Sequence, residues 1–190
     1  AVPQPLLAFR PVGTGELETF ERVGDGGFLI PSANVDAREI LCALGGFQLS
    51  EVDDVHRRFA AGDERVALLS AEGDHFCAGV DVSDPSKEAW KGVPNVGVKI
   101  DKPLISAVQG WAVGAGFTLT MMSDLCVVDE SAYFMFPEAK LGLFGGISAG
   151  LVARIPHKVA VEFLMLGEAL PAQRAYDVGL VNRVVPKGQA

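Results

Sequence analysis

A long uncharged stretch limits the possible folds more than any other feature of this sequence. From Pro103 to Ser123 no residue carries a charge, and at this length a membrane-spanning helix has to be considered. The stretch also contains Gln109 and repeated Gly and Thr residues, and this composition favours a buried strand, a turn and a helix. We therefore predict a strand at 103–108, then a turn and a helix, and no membrane span.

The overall composition indicates a folded, acidic domain. Of the 190 residues, 49% are hydrophobic and 21% are charged, which is enough apolar material for one core, so residues 1–190 are interpreted as a single domain. The formal net charge is −8, and the most basic feature is the pair Arg57-Arg58. Because an acidic surface repels the phosphate backbone, this composition disfavours nucleic-acid binding.

The cysteines indicate neither a disulfide framework nor a metal site. Cys42, Cys77 and Cys126 are odd in number and widely spaced. Free thiols are typical of a reducing compartment, and the segment AVPQPLLAFR lacks the charged head and long apolar core of a secretion signal. We expect a cytoplasmic protein without a metal ion.

Strand and helix patterns alternate along the chain. Asp25-Gly26-Gly27 predicts a hairpin between the apolar runs of residues 19–30. A capping-box pattern at Ser50 and Asp53 precedes apolar residues at helical spacing, which predicts a helix up to Gly62. This alternation of strands with helices predicts the α/β class. The remaining elements are predicted as strands at 65–70, 124–128 and 180–185 and as helices at 157–166 and from Pro171 to near Gly179.

Two glycine-rich turns are the strongest candidates for chemistry. In DHFCAGVDV, at 74–82, Ala78-Gly79-Val80 can form a tight turn that exposes backbone N–H groups. Gly114-Ala115-Gly116 precedes a predicted helix, whose N-terminus presents free N–H groups and a positive dipole end. Two such N–H groups aimed at one point would stabilise an oxyanion. Taken singly, however, turns of this kind are more often structural.

Taken together and in this order, four segments resemble the crotonase (enoyl-CoA hydratase/isomerase) superfamily. They are DHFCAGVD, DKPLISAVQGWAVGAGFTLTMMSD, FMFPEAKLGLFGG and GEALPAQRAYDVGLVNRVV. The resemblance implies a crotonase-like spiral of repeated ββα units and an acyl thioester of coenzyme A as substrate, with no further cofactor. It also implies that the backbone N–H groups of Val80 and Ala115 hold the thioester oxygen, and that the chain assembles as a homotrimer or a dimer of trimers.

The same resemblance assigns the catalytic acid. Typical hydratases of this family carry two glutamates, of which the second matches Glu138 in the segment FPE. The first would fall at Thr118, whose hydroxyl can hydrogen-bond water but cannot act as a general base near pH 7. We expect Glu138 to be the acid/base group with Thr118 beside it. A single carboxylate suits a double-bond isomerase, resembles the hydroxycinnamoyl-CoA hydratase-lyases, and is also compatible with a hydratase.

The match also suggests which residues line the substrate pocket. Apolar neighbours from Phe134 to Phe144 would raise the pKa of Glu138 by excluding water. The segment 141–156 is longer than is usual in the family and would border the acyl chain. Family members usually continue past a terminus such as VVPKGQA with trimer-forming helices, so we expect the 190 residues alone to associate. The residues expected to bind substrate or coenzyme A are Cys77, Ala78, Gly79, Asp81, Val82, Gly114, Phe136, Leu141 and Phe144.

Three other residues invite catalytic readings that the sequence disfavours. His75 precedes the first turn and is expected in a solvent-facing loop, and His56, beside two arginines on a helix, is expected to be exposed. Cys77 has no histidine evidently placed to activate it as a nucleophile.

Two alternative functions remain. A catalytically silent member kept for assembly or regulation is favoured by Thr118 and disfavoured by Glu138 and the two intact turns. A serine hydrolase would require a Ser–His–Asp set, and the chain has no G-x-S-x-G elbow.

Overall fold

The computed structural model describes residues 20–23, 28–31, 39–43, 49–71, 73–79, 89–143 and 146–190, with side-chain surroundings from residue 52 onward. Within these ranges the chain forms two sheets and four α-helices. The strands are β1 (Phe20–Val23), β2 (Phe28–Pro31), β3 (Glu39–Ala43), β4 (Val66–Ser70), β5 (Leu104–Val108), β6 (Trp111–Val113), β7 (Leu125–Asp129), β8 (Tyr133–Met135), β9 (Leu170–Pro171) and β10 (Arg183–Val185). The helices are α1 (Leu49–Ala61), α2 (Ala115–Met122), α3 (His157–Leu166) and α4 (Ala172–Asp177), with 3₁₀ helices at Ala89–Gly92, Pro137–Leu141 and Gly146–Ala153.

The larger sheet has seven strands in the order β1-β2-β3-β4-β5-β7-β10. β1 and β2 pair antiparallel, from Phe20 opposite Pro31 to Val23 opposite Phe28, so the predicted hairpin is confirmed. From β3 onward every pairing is parallel, which confirms the α/β class. Strand β3 was not predicted, because its weak local pattern becomes a strand only when it pairs with β4.

The smaller sheet has the order β6-β8-β9, and its strands are too short to show a pattern in the sequence. β6 and β8 are parallel, with Trp111 opposite Tyr133 and Val113 opposite Met135. Cys77 adds an isolated parallel bridge to Ala112 on the other side of β6. This sheet positions the candidate site described below.

The core lies between the larger sheet and the helices. Val52 and Phe59 of α1 are completely buried, as the helical spacing predicted. Lys102 fixes the C-terminal end of α1, since its Nζ donates to the carbonyl oxygens of Phe59 (2.7 Å) and Gly62 (2.6 Å). The helix begins at Leu49, so Ser50 lies in its first turn and the capping-box prediction was wrong in register.

The prediction that His56 is exposed is wrong. Its side chain is only 1% exposed, and its Nδ1 lies 2.7 Å from the carbonyl oxygen of Gly92. The 3₁₀ helix Ala89–Gly92 packs on this face of α1. Charged neighbours in the sequence suggested a solvated face, and the covering segment, more than thirty residues later, left no local signal.

The uncharged stretch folds as predicted. It forms β5, β6 and α2, and α2 buries every residue from Gly116 to Met121. Within the described ranges, no helix is both long enough and apolar enough to cross a membrane.

Candidate active site

The smaller sheet brings three segments of the chain to one edge. The N–H of Cys77 donates to the carbonyl of Trp111, and the N–H of Val113 donates to the carbonyl of Cys77, both at 2.8 Å. On the other side of β6, the N–H of Gly114 donates to the carbonyl of Met135 at 2.9 Å. Because Cys77, β6 and β8 run parallel, their C-terminal ends meet at the same edge. This places the Gly79 turn, the start of α2 and Glu138 side by side.

The start of α2 presents a backbone donor at this edge. Gly114 has φ 55°, a left-handed conformation that glycine adopts without strain, and it turns the chain from β6 into α2. Ala115 is the first residue of the helix and is partly exposed, whereas the six residues after it are buried. The N–H of a first helical residue has no acceptor within its own helix. The predicted donor Ala115 is therefore placed where a ligand can reach it.

The first turn reaches the same edge. Gly79 has φ 106°, again in the region that favours glycine, and a Cβ at this residue would lie 3.9 Å from the carbonyl oxygen of Val113. Ala78 is exposed. Val80, Asp81, Val82 and Phe144 lie outside the described residues, so the roles predicted for them stay predictions.

Glu138 lies directly beside the second turn. It belongs to the 3₁₀ helix Pro137–Leu141, which ends where the N–H groups of Gly142 and Leu143 donate to the carbonyls of Ala139 and Glu138. Its Oε1 is 2.9 Å from the position that a Cβ on Gly114 would occupy. The carboxylate thus packs against the bare Cα of Gly114, next to the N–H of Ala115.

The two carboxylate oxygens of Glu138 have different surroundings. Oε2 is buried and has no hydrogen-bond partner among the residues described. Burial raises the pKa of Glu138 above the usual glutamate value of 4.5, and a hydrogen bond from its own backbone N–H offsets part of that rise. A raised pKa favours a carboxyl group that both takes and returns a proton during a reaction, and the unpaired oxygen leaves Glu138 free for this role.

Thr118 is buried one turn along α2 and points back to the helix start. Its Oγ1 donates to the carbonyl oxygen of Gly114 at 3.1 Å, and its backbone N–H donates to the same oxygen at 2.9 Å. The hydroxyl proton is therefore used within the helix, and only the lone pairs of Oγ1 remain free to accept a hydrogen bond. In this arrangement Thr118 braces Gly114.

Aromatic rings hold the Glu138 segment against α2. Phe117 packs edge-on against Phe134 and Phe136, with ring centroids 6.3 and 5.8 Å apart, and lies 4.8 Å from the ring of Phe163. Phe136 was predicted to bind substrate, and the structure places its ring in this buried cluster, 4% exposed. Leu141, by contrast, is 63% exposed at the end of the 3₁₀ helix.

Sequence reasoning gave Cys77 a binding role and gave Gly116 none, and the structure pairs the two. Cys77 is buried, and a Cβ on Gly116 would lie only 2.5 Å from its Cβ. Burial also raises the pKa of the Cys77 thiol, which makes it a poor nucleophile. The only local indication of this contact was the second glycine of Gly114-Ala115-Gly116. The need for glycine at that position becomes clear only when Cys77 is seen to pack against it.

A cavity of about 890 Å³ lies elsewhere, on the sheet face opposite α1. Its floor is formed by Leu68, Ile105 and Val127, and the stacked rings of Trp111 and Tyr133 stand at its rim. It contains none of the candidate catalytic residues. His75, also at this rim, is exposed as predicted.

Comparison with known proteins identifies the family. The sequence profile described as enoyl-CoA hydratase/isomerase matches residues 38–190. The chain belongs to the enoyl-CoA hydratase/isomerase family. The solved structure of an enoyl-CoA hydratase from Mycobacterium smegmatis superposes with a TM-score of 0.67 at 28% identity, covering 80% of this chain and 68% of that one. The fold is therefore that of the crotonase-like enzymes, as the sequence predicted.

Curated relatives point the same way. Enoyl-CoA hydratase EchA19 of Mycobacterium tuberculosis is 36% identical over 143 residues, which is 67% of this chain and 54% of the relative. The carnitinyl-CoA dehydratase of Proteus mirabilis is 33% identical over 150 residues, covering 71% of this chain and 57% of the relative. The chain thus spans little more than half the length of these family members.

Proposed function

We propose that this family member catalyses proton transfer on an acyl thioester of coenzyme A, with Glu138 as the acid/base group. The observation that carries the proposal is the placement of the Glu138 carboxylate against Gly114, with one buried, unpaired oxygen, beside the helix N-terminus that begins at Ala115. A negative charge that develops on a thioester oxygen needs donors of this kind, and a proton at the adjacent carbon needs a nearby base.

In the proposed site, the N–H groups of Ala115 and Val80 hold the thioester carbonyl oxygen. When Glu138 removes a proton next to that carbonyl, or when water adds to the double bond, the charge moves onto this oxygen as an enolate. The positive end of α2 stabilises the same charge. The enolate collapses when Glu138 returns a proton to carbon.

Two reactions use this machinery with one carboxylate. In hydration of a 2-enoyl thioester, the oxygen of a water molecule bonds to C3 while Glu138 takes a proton from that water. Glu138 then returns the proton to C2 of the enolate. The names of the relatives, an enoyl-CoA hydratase and a carnitinyl-CoA dehydratase, support this reaction. In isomerisation, Glu138 removes a proton from C2 of a 3-enoyl thioester and returns it at C4. The commitment of the Thr118 hydroxyl to Gly114 supports this second reaction, because no second acid lies at that position.

The decisive experiment follows the absorbance of the conjugated enoyl thioester with 2-enoyl-CoA and 3-enoyl-CoA substrates in parallel. Loss of signal from the 2-enoyl substrate would demonstrate hydration, and gain of signal from the 3-enoyl substrate alone would demonstrate isomerisation. Activity on neither, followed by none on aromatic acyl-CoA substrates such as those of the hydratase-lyases, would favour the catalytically silent scaffold.

The Glu138→Gln variant is the matched control. Glutamine keeps the shape of the side chain but cannot accept the proton, so turnover should fall by about 10²–10⁴-fold. Unchanged turnover would refute the assignment of Glu138.

We further propose assembly into a trimer or a dimer of trimers. Support comes from exposed apolar side chains on the segments next to Glu138, where Leu141, Leu143 and Met165 are 63%, 58% and 66% exposed. Several large apolar side chains exposed together on a folded protein usually mark a contact surface.

A further inference from the structure

Gly116, which directly follows the candidate donor Ala115, is in unusually close contact with the Cys77–Gly79 turn. A Cβ built on Gly116 would lie 2.5 Å from the Cβ of Cys77, 3.1 Å from its Sγ and 3.2 Å from its carbonyl oxygen. Two non-bonded carbon atoms cannot lie 2.5 Å apart, so a side chain at position 116 would force either α2 or the Cys77 segment to move. The first turn of α2 and the Cys77–Gly79 segment are therefore as close as two backbones with one intervening side chain allow.

Both the Cys77 segment and the start of α2 are held in place by other contacts. Cys77 is held to β6 by two backbone hydrogen bonds of 2.8 Å, one to Trp111 and one from Val113. The start of α2 is held by the 2.9 Å bond from Gly114 to Met135 and by the ring of Phe117, 4.8 Å from that of Phe163. A methyl group at position 116 would thus be resisted from both directions.

We propose that Gly116 and Cys77 form a spacer that sets the distance between the start of α2 and the Cys77–Gly79 turn, and hence the position of the Ala115 N–H relative to that turn. This inference rests on the proposed function, since the spacer matters for catalysis only if a thioester oxygen binds there. Gly116 is a positioning residue in this scheme, because it contacts neither the substrate nor the proton that Glu138 transfers. The side chain of Cys77 acts from behind the site, packed against the helix.

The consequence is a specific prediction for Gly116→Ala. The added methyl group pushes the N-terminus of α2 away from the turn and displaces the Ala115 donor from the developing charge. A misplacement of about 1 Å costs on the order of 10²-fold in rate. The loss should fall on kcat, with KM within a few-fold of the wild-type value, because the negative charge on the thioester oxygen develops only in the transition state.

The test measures kcat and KM together with the enolate absorbance of bound acetoacetyl-CoA, a thioester acidic enough to ionise in a working oxyanion hole. The wild-type protein should show both turnover and the enolate band, and Gly116→Ala should lose both while its thermal unfolding remains cooperative. Gly179→Ala is the control, since a Cβ at Gly179 would have no atom within 4 Å, while its positive φ of 81° makes the substitution costly to stability alone.

A compensating variant keeps the test decisive even if Gly116→Ala folds poorly. Cys77→Gly removes the two side-chain atoms nearest to a methyl group at 116, so the double variant C77G/G116A should recover most of the lost kcat and the enolate band. A Gly116→Ala protein with wild-type kcat and enolate band would overturn the inference, as would a folded double variant with no recovery beyond Gly116→Ala. A wild-type protein without turnover or enolate band would instead overturn the proposed function, and this inference with it.

Discussion

At the scale of single residues, the main feature of the candidate site is that the two carboxylate oxygens of Glu138 have different surroundings. Oε1 of Glu138 packs against the bare Cα of Gly114, and Oε2 is buried without a hydrogen-bond partner in the described part of the chain. A buried charge that lacks a partner is costly, so the environment favours the protonated form. A residue kept only for structure would gain from pairing this oxygen, which is why the arrangement favours a role in proton transfer.

The raised pKa of Glu138 predicts a shifted pH profile. The base must be deprotonated to act, so kcat/KM should fall as the pH drops through the pKa of Glu138, with a midpoint above the usual value of 4.5. A pH–rate profile of the wild-type protein measures that midpoint. A profile that stays flat down to pH 4.5 would contradict the raised pKa.

The same shift predicts the stability of Glu138→Gln. A glutamate whose pKa is raised on folding destabilises the folded state at pH 7, because burial opposes its charge. Glutamine removes that penalty, so the inactive variant should unfold at the same or a slightly higher temperature than the wild type. Calorimetry at pH 7 tests this, and a lower unfolding temperature would show that the loss of activity reflects damage to the fold.

At the scale of secondary-structure elements, helix α1 contains a buried histidine, His56, that contacts a neighbouring 3₁₀ helix. The Nδ1 of His56 donates to the carbonyl of Gly92, so in the neutral ring Nε2 is an acceptor, and it is buried without a partner in the described residues. Desolvation lowers the pKa of His56 below 6.5, although the contact with Gly92 and the charge of Asp53 oppose the shift. This histidine joins α1 to the 3₁₀ helix Ala89–Gly92.

The sign of that shift predicts acid sensitivity. The unfolded chain binds a proton at His56 below pH 6.5 and the folded chain resists it, so the free energy of unfolding should fall as the pH drops below 6.5, by at most about 1.4 kcal/mol per pH unit. Denaturant unfolding between pH 7.5 and 5 measures this slope. His56→Asn, which preserves a donor to Gly92, should flatten the slope. An equal slope in His56→Asn would show that other groups are responsible.

At the scale of the whole molecule, apolar surface accumulates on one set of neighbouring segments. Leu141 and Leu143 follow Glu138, and Met165 and Leu166 end the helix α3 that packs on the same 3₁₀ helix. Gly167, which ends α3, lies against Pro137 and Phe136, so the two segments are in direct contact. The proposed assembly would cover this surface and bring a neighbouring subunit close to the substrate site.

This surface predicts the behaviour of the chain in solution. Light scattering of the 190 residues should give a mass above that of one chain, because exposed apolar side chains are removed from water by association. The double variant L141S/M165Q should shift the mass towards one chain, whereas Tyr176→Gln, an exposed residue of α4, should not. A monodisperse single chain in the wild type would contradict the proposed assembly.

Local patterns in the sequence were sufficient for the longer elements. Helix α3 was predicted at its observed bounds, because ten residues give a helix enough turns to reveal its apolar spacing. The glycines at 79 and 114 were predicted as turns, and both have the positive φ that makes glycine necessary there. Glu138 and Ala115 were predicted as site residues from the resemblance of four ordered segments to the family, because no single turn indicates a function by itself.

Only the tertiary structure decided how these pieces meet. The short strands β6 and β8 exist because they pair with each other, and this pairing sets Glu138 beside Gly114. The burial of His56, the bracing of Gly114 by Thr118 and the contact of Gly116 with Cys77 depend on which segment packs against which. The periodicity of apolar residues indicates which face of a helix or strand is buried. It does not indicate which other segment of the chain packs against that face. The sequence by itself therefore determined the longer elements, the glycine turns and the family, and long-range packing determined the short strands and the geometry of the site.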